Sequence, residues 1–335
     1  MNELTHCPST LAAGFDTYSP VALKKLFDKR KVSHILPYQS MESNESDAEL
    51  FMNNRKRISL SGVQSKYSMI LHNDILRLTN ENEQGQYILK PKPSGIKNPA
   101  ECAANENLTM QIAEQVFGIE TAANGLCFFK TGEPAYLTKR FDRMSNGDKC
   151  RIEDFASLAG LTSDNGGANF KYDRYSYEDI AELIKRYIPA WRVELLKFYR
   201  IVVFNFLFSN GDAHLKNFSI IETKDGDFRL SPAYDLLNTK LHVDDTEFAL
   251  DKGLFRENHQ EFQKAGTRTI GATFWAFGLK IGLPEKTIEK ELMIFTQKNV
   301  LIEELTNNSF LSGTLKKTYF QQYQTRRNRL ADMKL

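Results

Sequence analysis

Four cysteines, Cys7, Cys102, Cys127 and Cys150, are scattered through 335 residues, and no two of them form a C-x-x-C pair. That spacing argues against a zinc ribbon or a disulfide framework and fits a reducing compartment. Charge of one sign is also scarce. The 44 Lys and Arg against 42 Asp and Glu leave a net charge of +2, without the basic excess of a dedicated nucleic-acid binder. The longest apolar stretch, 201–208, is interrupted by Asn205 and falls well short of the roughly 20 residues of a membrane span. The first fifteen residues hold an acidic residue and no basic cluster, so they do not form a secretory signal. Internal repeats and low-complexity tracts are absent. These absences predict a cytoplasmic protein with no membrane partner and no direct contact with nucleic acid.

The chain has ample material for a folded protein. Hydrophobic residues make up 41% of it, which excludes wholesale disorder. At roughly 150 residues per domain the length suits two lobes. Ser19-Pro20 opens a short helix carrying Leu23, Leu26 and Phe27. Residues 40–55 are polar and acidic, and read as a connector or as the lead-in to a first strand. Short β-prone runs follow at 67–71, 75–78 and 87–89, with His72-Asn73-Asp74 as a turn. Asn98-Pro99-Ala100-Glu101 has the pattern of a capping box, predicting a helix to about Phe117 that stops at Gly118. Strands are expected at 125–129 and 135–140.

After Asp142 the pattern turns helical. Ser176 is placed to cap a helix over 177–187. In 191–208 the residues Leu195, Leu196, Tyr199, Val202, Val203, Phe206 and Leu207 recur at the helical period, predicting a helix central to a core. Strands at 218–222 and 228–231 flank Lys224-Asp225-Gly226, a hairpin signal. Late helices are expected over 285–300 and 314–334. The predicted fold is α+β and two-lobed: a small β-rich N-terminal lobe over 1–141 with one helix and a nucleotide loop, and a mostly α-helical catalytic lobe over 142–335.

The chemistry concentrates in a few stretches. Ser209 to Asn217 follows the central helix, and Asp212 and Asn217 stand at the Asp-x4-Asn spacing of a kinase catalytic loop. A carboxylate there takes the proton of an acceptor hydroxyl, and an amide oxygen nearby is a hard ligand for Mg²⁺. Asp235 lies just beyond the hairpin, where a kinase keeps its main Mg²⁺ ligand, although the residues around it are Tyr-Asp-Leu rather than Asp-Phe-Gly. Lys90 ends a strand and Glu106 lies within the next helix, the pairing that holds ATP phosphates. Ser59-Leu60-Ser61-Gly62-Val63-Gln64-Ser65-Lys66 precedes the first strand; it is neither G-x-G-x-x-G nor Walker A, but its N–H groups and Lys66 suit phosphate. Each feature also has an ordinary reading: a helix C-cap, a surface turn, a snorkelling lysine, a polar loop. Their order along the chain, on a lobe plan of matching kind, points to phosphoryl transfer from ATP with Mg²⁺.

Residues Ser59–Lys66, Tyr87–Lys90, Asn105-Glu106, Thr138–Arg143, Asn210–Asn217 and Ala233–Leu236 together resemble the HipA-like serine/threonine kinases, toxin components of bacterial toxin–antitoxin systems. The likeness extends over roughly 50–335 and is similar in particular to the short HipT-type toxins. It implies a protein-kinase-like fold with Asp212 as catalytic base and Asn217 and Asp235 as Mg²⁺ ligands. Lys90, braced by Glu106, touches the ATP phosphates, and the loop residues Ser61, Gly62, Val63, Gln64, Ser65 and Lys66 cover them. Lys139, Arg140 and Phe141 form the hinge that meets adenine, with His214 and Tyr234 beside the nucleotide. Long members carry an acidic residue where Lys139 stands.

Ser59, and Ser61 as a second candidate, match the loop serines whose autophosphorylation switches such kinases off. Each phosphate adds about −1.5 to −2 charge beside those of ATP. The resemblance also implies a protein substrate among the aminoacyl-tRNA synthetases, with tryptophanyl and glutamyl forms as candidates, whose phosphorylation halts translation and growth. It implies two partners: a small antitoxin protein resembling an N-terminal subdomain that this chain is expected to lack, and a helix-turn-helix DNA-binding protein. Two other readings stand beside it, a small-molecule or lipid kinase and a non-catalytic kinase-like partner in a DNA-binding complex. In the last, the basic residues Lys316, Lys317, Arg326, Arg327 and Arg329 would touch DNA; a solvated helix face is the plainer expectation for them.

Overall fold

The computed structural model describes residues 3–40, 49–52, 54, 64–143, 148–257 and 269–333. The loop residues Ser59, Ser61, Gly62 and Val63 lie outside these segments. Among the described residues, no helix is long and apolar enough to cross a membrane.

The N-terminal part is built on a five-stranded antiparallel sheet. Its strands are β1 (Tyr67–His72), β2 (Ile75–Leu78), β3 (Tyr87–Lys90), β4 (Asn124–Phe128) and β5 (Pro134–Lys139), in the order β2-β1-β3-β5-β4. Asn73 and Asp74 both adopt positive φ between β1 and β2, the backbone that a tight two-residue hairpin needs and that Asn and Asp tolerate. Ahead of the sheet, α1 (Pro20–Phe27) is capped by the Ser19 hydroxyl. The N-terminal segment is stitched to β4: Ser9 Oγ donates to the Asn124 carbonyl at 2.6 Å, and the Tyr18 hydroxyl to that of Leu126 at 2.7 Å.

Residues 49–52 depart from the expected connector. They are helical, and Phe51 is buried against Tyr38, Tyr67 and Phe129. Asn54 then bridges β1 and β2 by accepting from the Ser68 N–H and donating to the Thr79 carbonyl.

The helix after β3 begins differently from its sequence signal. Asn98 takes a left-handed conformation and makes no cap; Pro99–Glu101 is a 3-10 turn, and α2 (Cys102–Gln115) follows. The side chains of the apparent capping box are used over longer distances, Asn98 Nδ2 donating to the Leu241 carbonyl and Glu101 Oε2 accepting from the Ser312 N–H. Nearly all of α2 is buried, because the sheet covers one face and the C-terminal helices the other. Glu106 is thereby carried into the interior.

The C-terminal part holds a second sheet and eight further α-helices among the described residues. Strand β6 (Ile152–Asp154), which carries no recognisable sequence signal, joins β7 (Ser219–Glu222) and β8 (Phe228–Leu230) in the order β6-β7-β8. The short helices α3 (Phe155–Leu158) and α4 (Ser163–Gly166) lead to α5 (Tyr177–Tyr187), which starts in a full capping box of Ser176 and Asp179. The central helix is α6 (Trp191–Leu207), buried on every side from Ile201 onward. Apolar side chains all round a helix require such an environment.

Helix α7 (Ile270–Ile281) was not anticipated. The helix expected over 285–300 forms as α8 (Glu285–Thr296), ending earlier, and a further helix not expected there, α9 (Val300–Asn308), starts where the Asn299 side chain caps the Leu301 N–H. The last helix is α10 (Gly313–Ala331). Its basic residues are only partly solvated: Arg326 is buried over the Phe206 ring, and Arg326 and Arg329 both pair with Glu247.

Tyr177, the first residue of α5, is fully buried, and its hydroxyl donates to the Ala213 carbonyl at 2.8 Å. Tyr177→Phe leaves that carbonyl without its donor and is expected to lower the unfolding free energy by about 1–3 kcal/mol. Urea denaturation checks this; an unchanged midpoint and slope would show that the bond carries no stability.

Candidate active site

A cleft of about 930 Å³ is lined by residues from both sheets, from α2 and from the loop after α6, a size suited to a nucleotide-sized ligand. At its centre is Lys90, at the end of β3. Its Nζ lies 2.6 Å from Glu106 Oε1 and 2.5 Å from Asp235 Oδ1. Lys66 Nζ approaches the other Asp235 oxygen at 3.5 Å. Lys90 and Glu106 are almost wholly buried, while Asp235 retains some exposure to the cleft.

The charges set one another's protonation. Burial alone would raise the Asp235 carboxyl, but Lys90 and Lys66 outweigh it and hold the group far below the usual carboxylate range. Burial likewise works against the Lys90 ammonium, and the Asp235 and Glu106 carboxylates overcome it to keep the ammonium firmly charged. Glu106 is pushed up to about 7 by burial, with Lys90 opposing and Asp235 adding to the rise. Removing one member of such a buried set strands its partners, at a cost of about 3–5 kcal/mol.

The loop after α6 is shaped by neutral polar contacts. Asn205, the residue that interrupts the apolar run, is buried, and its Oδ1 accepts from Asn210 Nδ2 at 2.9 Å. Asn210 Oδ1 in turn accepts from the Asp212 N–H at 3.2 Å. Gly211 is required by close approach rather than by a left-handed backbone. A Cβ there would stand 2.3 Å from Asp245 Oδ2 and 2.5 Å from the Thr246 carbonyl oxygen. Asn217 Oδ1 accepts from the His214 N–H, and its Nδ2 reaches Asp235 Oδ2 at 3.4 Å.

Asp235 itself adopts φ 55°, a conformation that Asp tolerates better than most residues. It is fixed from behind, because the Ala233 N–H donates to the Glu120 carbonyl while the Ala233 carbonyl accepts from the Ala122 N–H. Asp212 is half-exposed at the mouth of the cleft.

Of the residues expected in the site, Gln64, Lys66, Lys90, Glu106, Lys139, Arg140, Phe141, Asp212, His214, Asn217, Tyr234 and Asp235 line this one cleft. Ser65 does not line it. The Tyr234 hydroxyl donates to the Lys216 carbonyl at 2.9 Å, and its ring lies 5.8 Å from that of Phe141. At the expected hinge, the N–H groups of Lys139 and Arg140 are already bonded to the carbonyls of Ala123 and Gln86. The Lys139 ammonium pairs with Asp28 and the Arg140 fork with Asp142, so both charges are engaged by carboxylates. Burial pushes His214 down to about 4 against the pull of Asp212, which keeps the ring neutral.

Two residues were missed. Lys171 and Tyr172, from an irregular stretch far ahead of the loop, reach into the cleft, where the Tyr172 hydroxyl donates to Asp212 Oδ1 at 2.7 Å and Lys171 Nζ to His214 Nε2 at 2.9 Å. No periodicity or motif in that stretch marks them.

The donor set suits Mg²⁺ beside phosphate. Asp235 and Asn217 are adjacent, with Asn217 Nδ2 facing Asp235 and its Oδ1 on the His214 N–H, so a turn of the Asn217 amide would bring two hard oxygens together, short of a full protein cage, which is how this ion is held with substrate phosphates and water. Among the described residues, no group of three or more His, Cys, Asp and Glu is arranged to hold a metal alone.

Comparison with known proteins places this geometry in a family. The HipA-like C-terminal domain pattern matches residues 58–299. A Haemophilus influenzae protein named "Putative kinase" is 28% identical over 309 residues, covering 88% of this chain and 87% of that protein. Among solved structures, a chain from the Shewanella oneidensis toxin–antitoxin complex of HipA, HipB and operator DNA superimposes with a TM-score of 0.64 at 21% identity, over 81% of this chain and 65% of that one. The Helicobacter pylori proinflammatory kinase CtkA does so with a TM-score of 0.50 at 15% identity, over 79% and 90%. At these identities the two structures speak for the fold, which is kinase-like, as the order of elements suggested. With the family pattern spanning most of its length and the fold in agreement, this chain belongs to the HipA-like C-terminal domain family.

Proposed function

We propose that this chain is an ATP- and Mg²⁺-dependent serine/threonine protein kinase of a toxin–antitoxin system, with lobes meeting near residue 141. The observation that carries the reading is the convergence of Lys90, Glu106, Lys66, Asn217 and Asp235 in one cleft, with Asp212 at its mouth. Two lysines meet at one carboxylate, a charge arrangement that a metal-bound polyphosphate satisfies by taking the carboxylate for its cation and the lysines for its oxygens.

In this account Glu106 keeps Lys90 aimed into the cleft, and Lys90 and Lys66 bind phosphate oxygens once nucleotide arrives. Asp235 and Asn217 hold the metal, and Mg²⁺ supplies neutralisation of phosphate charge. Phe141 and Tyr234 flank the base. Asp212 accepts the proton of the acceptor hydroxyl; Tyr172 fixes its Oδ1 and leaves Oδ2 for that task. The exposure of Asp212 suits an acceptor on a protein, whose hydroxyl arrives from the open side.

The toxin assignment follows the likeness to a HipA complex with HipB and operator DNA, and implies an antitoxin and a DNA-binding partner for this chain as well. An aminoacyl-tRNA synthetase is the proposed substrate, by family resemblance, and Ser59 and Ser61 are the proposed sites of autophosphorylation.

Asp212→Asn is expected to reduce transfer of labelled γ-phosphate by about 10²–10⁴-fold, while nucleotide affinity measured by calorimetry stays close to that of the unchanged protein. Turnover near the original rate would remove Asp212 from the chemistry. Phosphopeptide mass spectrometry of a bacterial lysate incubated with each form is expected to show Asp212-dependent phosphoserine or phosphothreonine on a synthetase. Asp212-dependent phosphate confined to lipid or small molecules would contradict a protein substrate.

A further inference from the structure

Lys171 belongs to the 167–175 segment, which is fastened to the catalytic loop by its backbone. The Lys171 carbonyl accepts from the Leu215 N–H at 3.3 Å, and the Tyr172 carbonyl from the Asp251 N–H at 3.0 Å. The side chain therefore has a defined place. It is half-buried at the cleft, its Nζ 4.8 Å from the centre of the Tyr172 ring and 2.9 Å from His214 Nε2. An ammonium has only protons to offer, so His214 Nε2 must present its lone pair and the imidazole is neutral. A neutral ring nitrogen is a weak resting partner for a partly desolvated cation.

The other charges in reach explain what is missing. Lys66 and Lys216 both lie close enough to repel Lys171; with burial as the larger effect, they hold its ammonium below the usual lysine range, against the attraction of Asp212. Lys66, Lys171 and Lys216, from three separate segments, line the same cleft as Asp212 and Asp235. Like charges gathered around one space call for an anion in it. On the reading of this cleft as a phosphoryl-transfer site, on which the inference rests, the group between the acceptor-side carboxylate and the metal-side carboxylate is the terminal phosphate.

We propose that Lys171 is a further catalytic residue, contacting the γ-phosphoryl group of the bound nucleoside triphosphate. His214 holds its ammonium ready until nucleotide enters. As the acceptor oxygen bonds to the γ-phosphorus, the bond from that phosphorus to the β–γ bridging oxygen breaks and ADP leaves with the electron pair. The hydroxyl proton passes to Asp212. Lys171 keeps its own proton throughout and stabilises the charge spread over the equatorial oxygens.

The test compares ADP with a non-hydrolysable ATP analogue, both with Mg²⁺, by calorimetric titration of the full chain and of its Lys171→Met and Lys171→Arg variants. Lys171→Met is expected to weaken the triphosphate by about tenfold or more and to leave ADP unchanged, so that preference for the third phosphate falls. Lys171→Arg is expected to retain that preference, because it keeps a cation in place. Equal loss for both nucleotides, with thermal unfolding unchanged, would assign Lys171 a structural role through His214 and overturn the proposal, as would no loss for either. Binding of neither nucleotide by the unchanged protein would overturn the phosphoryl-transfer reading itself, a result distinct from the other two.

Discussion

Lys90 is the point at which three distant parts of the chain have to agree. Its ammonium comes from a strand, Glu106 from the helix that follows, and Asp235 from the segment beyond the second sheet. The lysine is buried with its charge intact, which is tolerable because anionic groups are paired with it, here both carboxylates. The sheet, α2 and the loop after β8 are therefore held in mutual register by electrostatics. The same requirement accounts for the depth of α2, since a helix on the surface could not deliver Glu106 to a buried lysine. Asp235 is the member that remains open to the cleft, and so the one through which a ligand exchanges with the set.

Neutral hydrogen bonds do comparable work around the catalytic loop. Asn205 sits in a helix that is otherwise apolar, and its amide organises the first turn of the loop through Asn210. Tyr177 holds the Ala213 carbonyl and Tyr172 holds Asp212. Gly211 lets the 245–246 segment come against the loop backbone. Asp212 is thus supported from both flanks while its own carboxylate faces outward. This division suits a kinase, in which the group that meets the acceptor has to be accessible and the groups that meet the nucleotide have to be fixed.

Much of this was legible in the sequence where local chemistry and tertiary structure coincide. The β1–β2 turn at Asn73-Asp74, the Asp225-Gly226 hairpin and the Ser176 cap all formed, because each is satisfied within a few residues. The Asn98–Glu101 pattern marked the helix but not its cap, because both side chains found long-range partners instead, Leu241 and Ser312. Helix α7 escaped because nearly all its residues are apolar and alternate without a polar face to mark a period. The break between α8 and α9 depends on one asparagine. In the site, the spacing of Asp212 and Asn217 and the order of Lys90, Glu106 and Asp235 were readable from the chain. Lys171 and Tyr172 were not, since their roles come only from where an irregular segment crosses the loop.

The central claim is that Asp235, now neutralised by two lysines, exchanges them for a metal when ATP binds. Its most direct test is calorimetric titration of ATP into the unchanged protein and into Asp235→Asn, with Mg²⁺ and with a chelator. The account predicts that Mg²⁺ tightens ATP binding by the unchanged protein and has little effect on the variant. Metal-free ATP should bind the variant at least as well, because Lys90 and Lys66 then face the phosphates without a competing carboxylate. An Mg²⁺ enhancement of equal size in both proteins would contradict it and place the metal elsewhere.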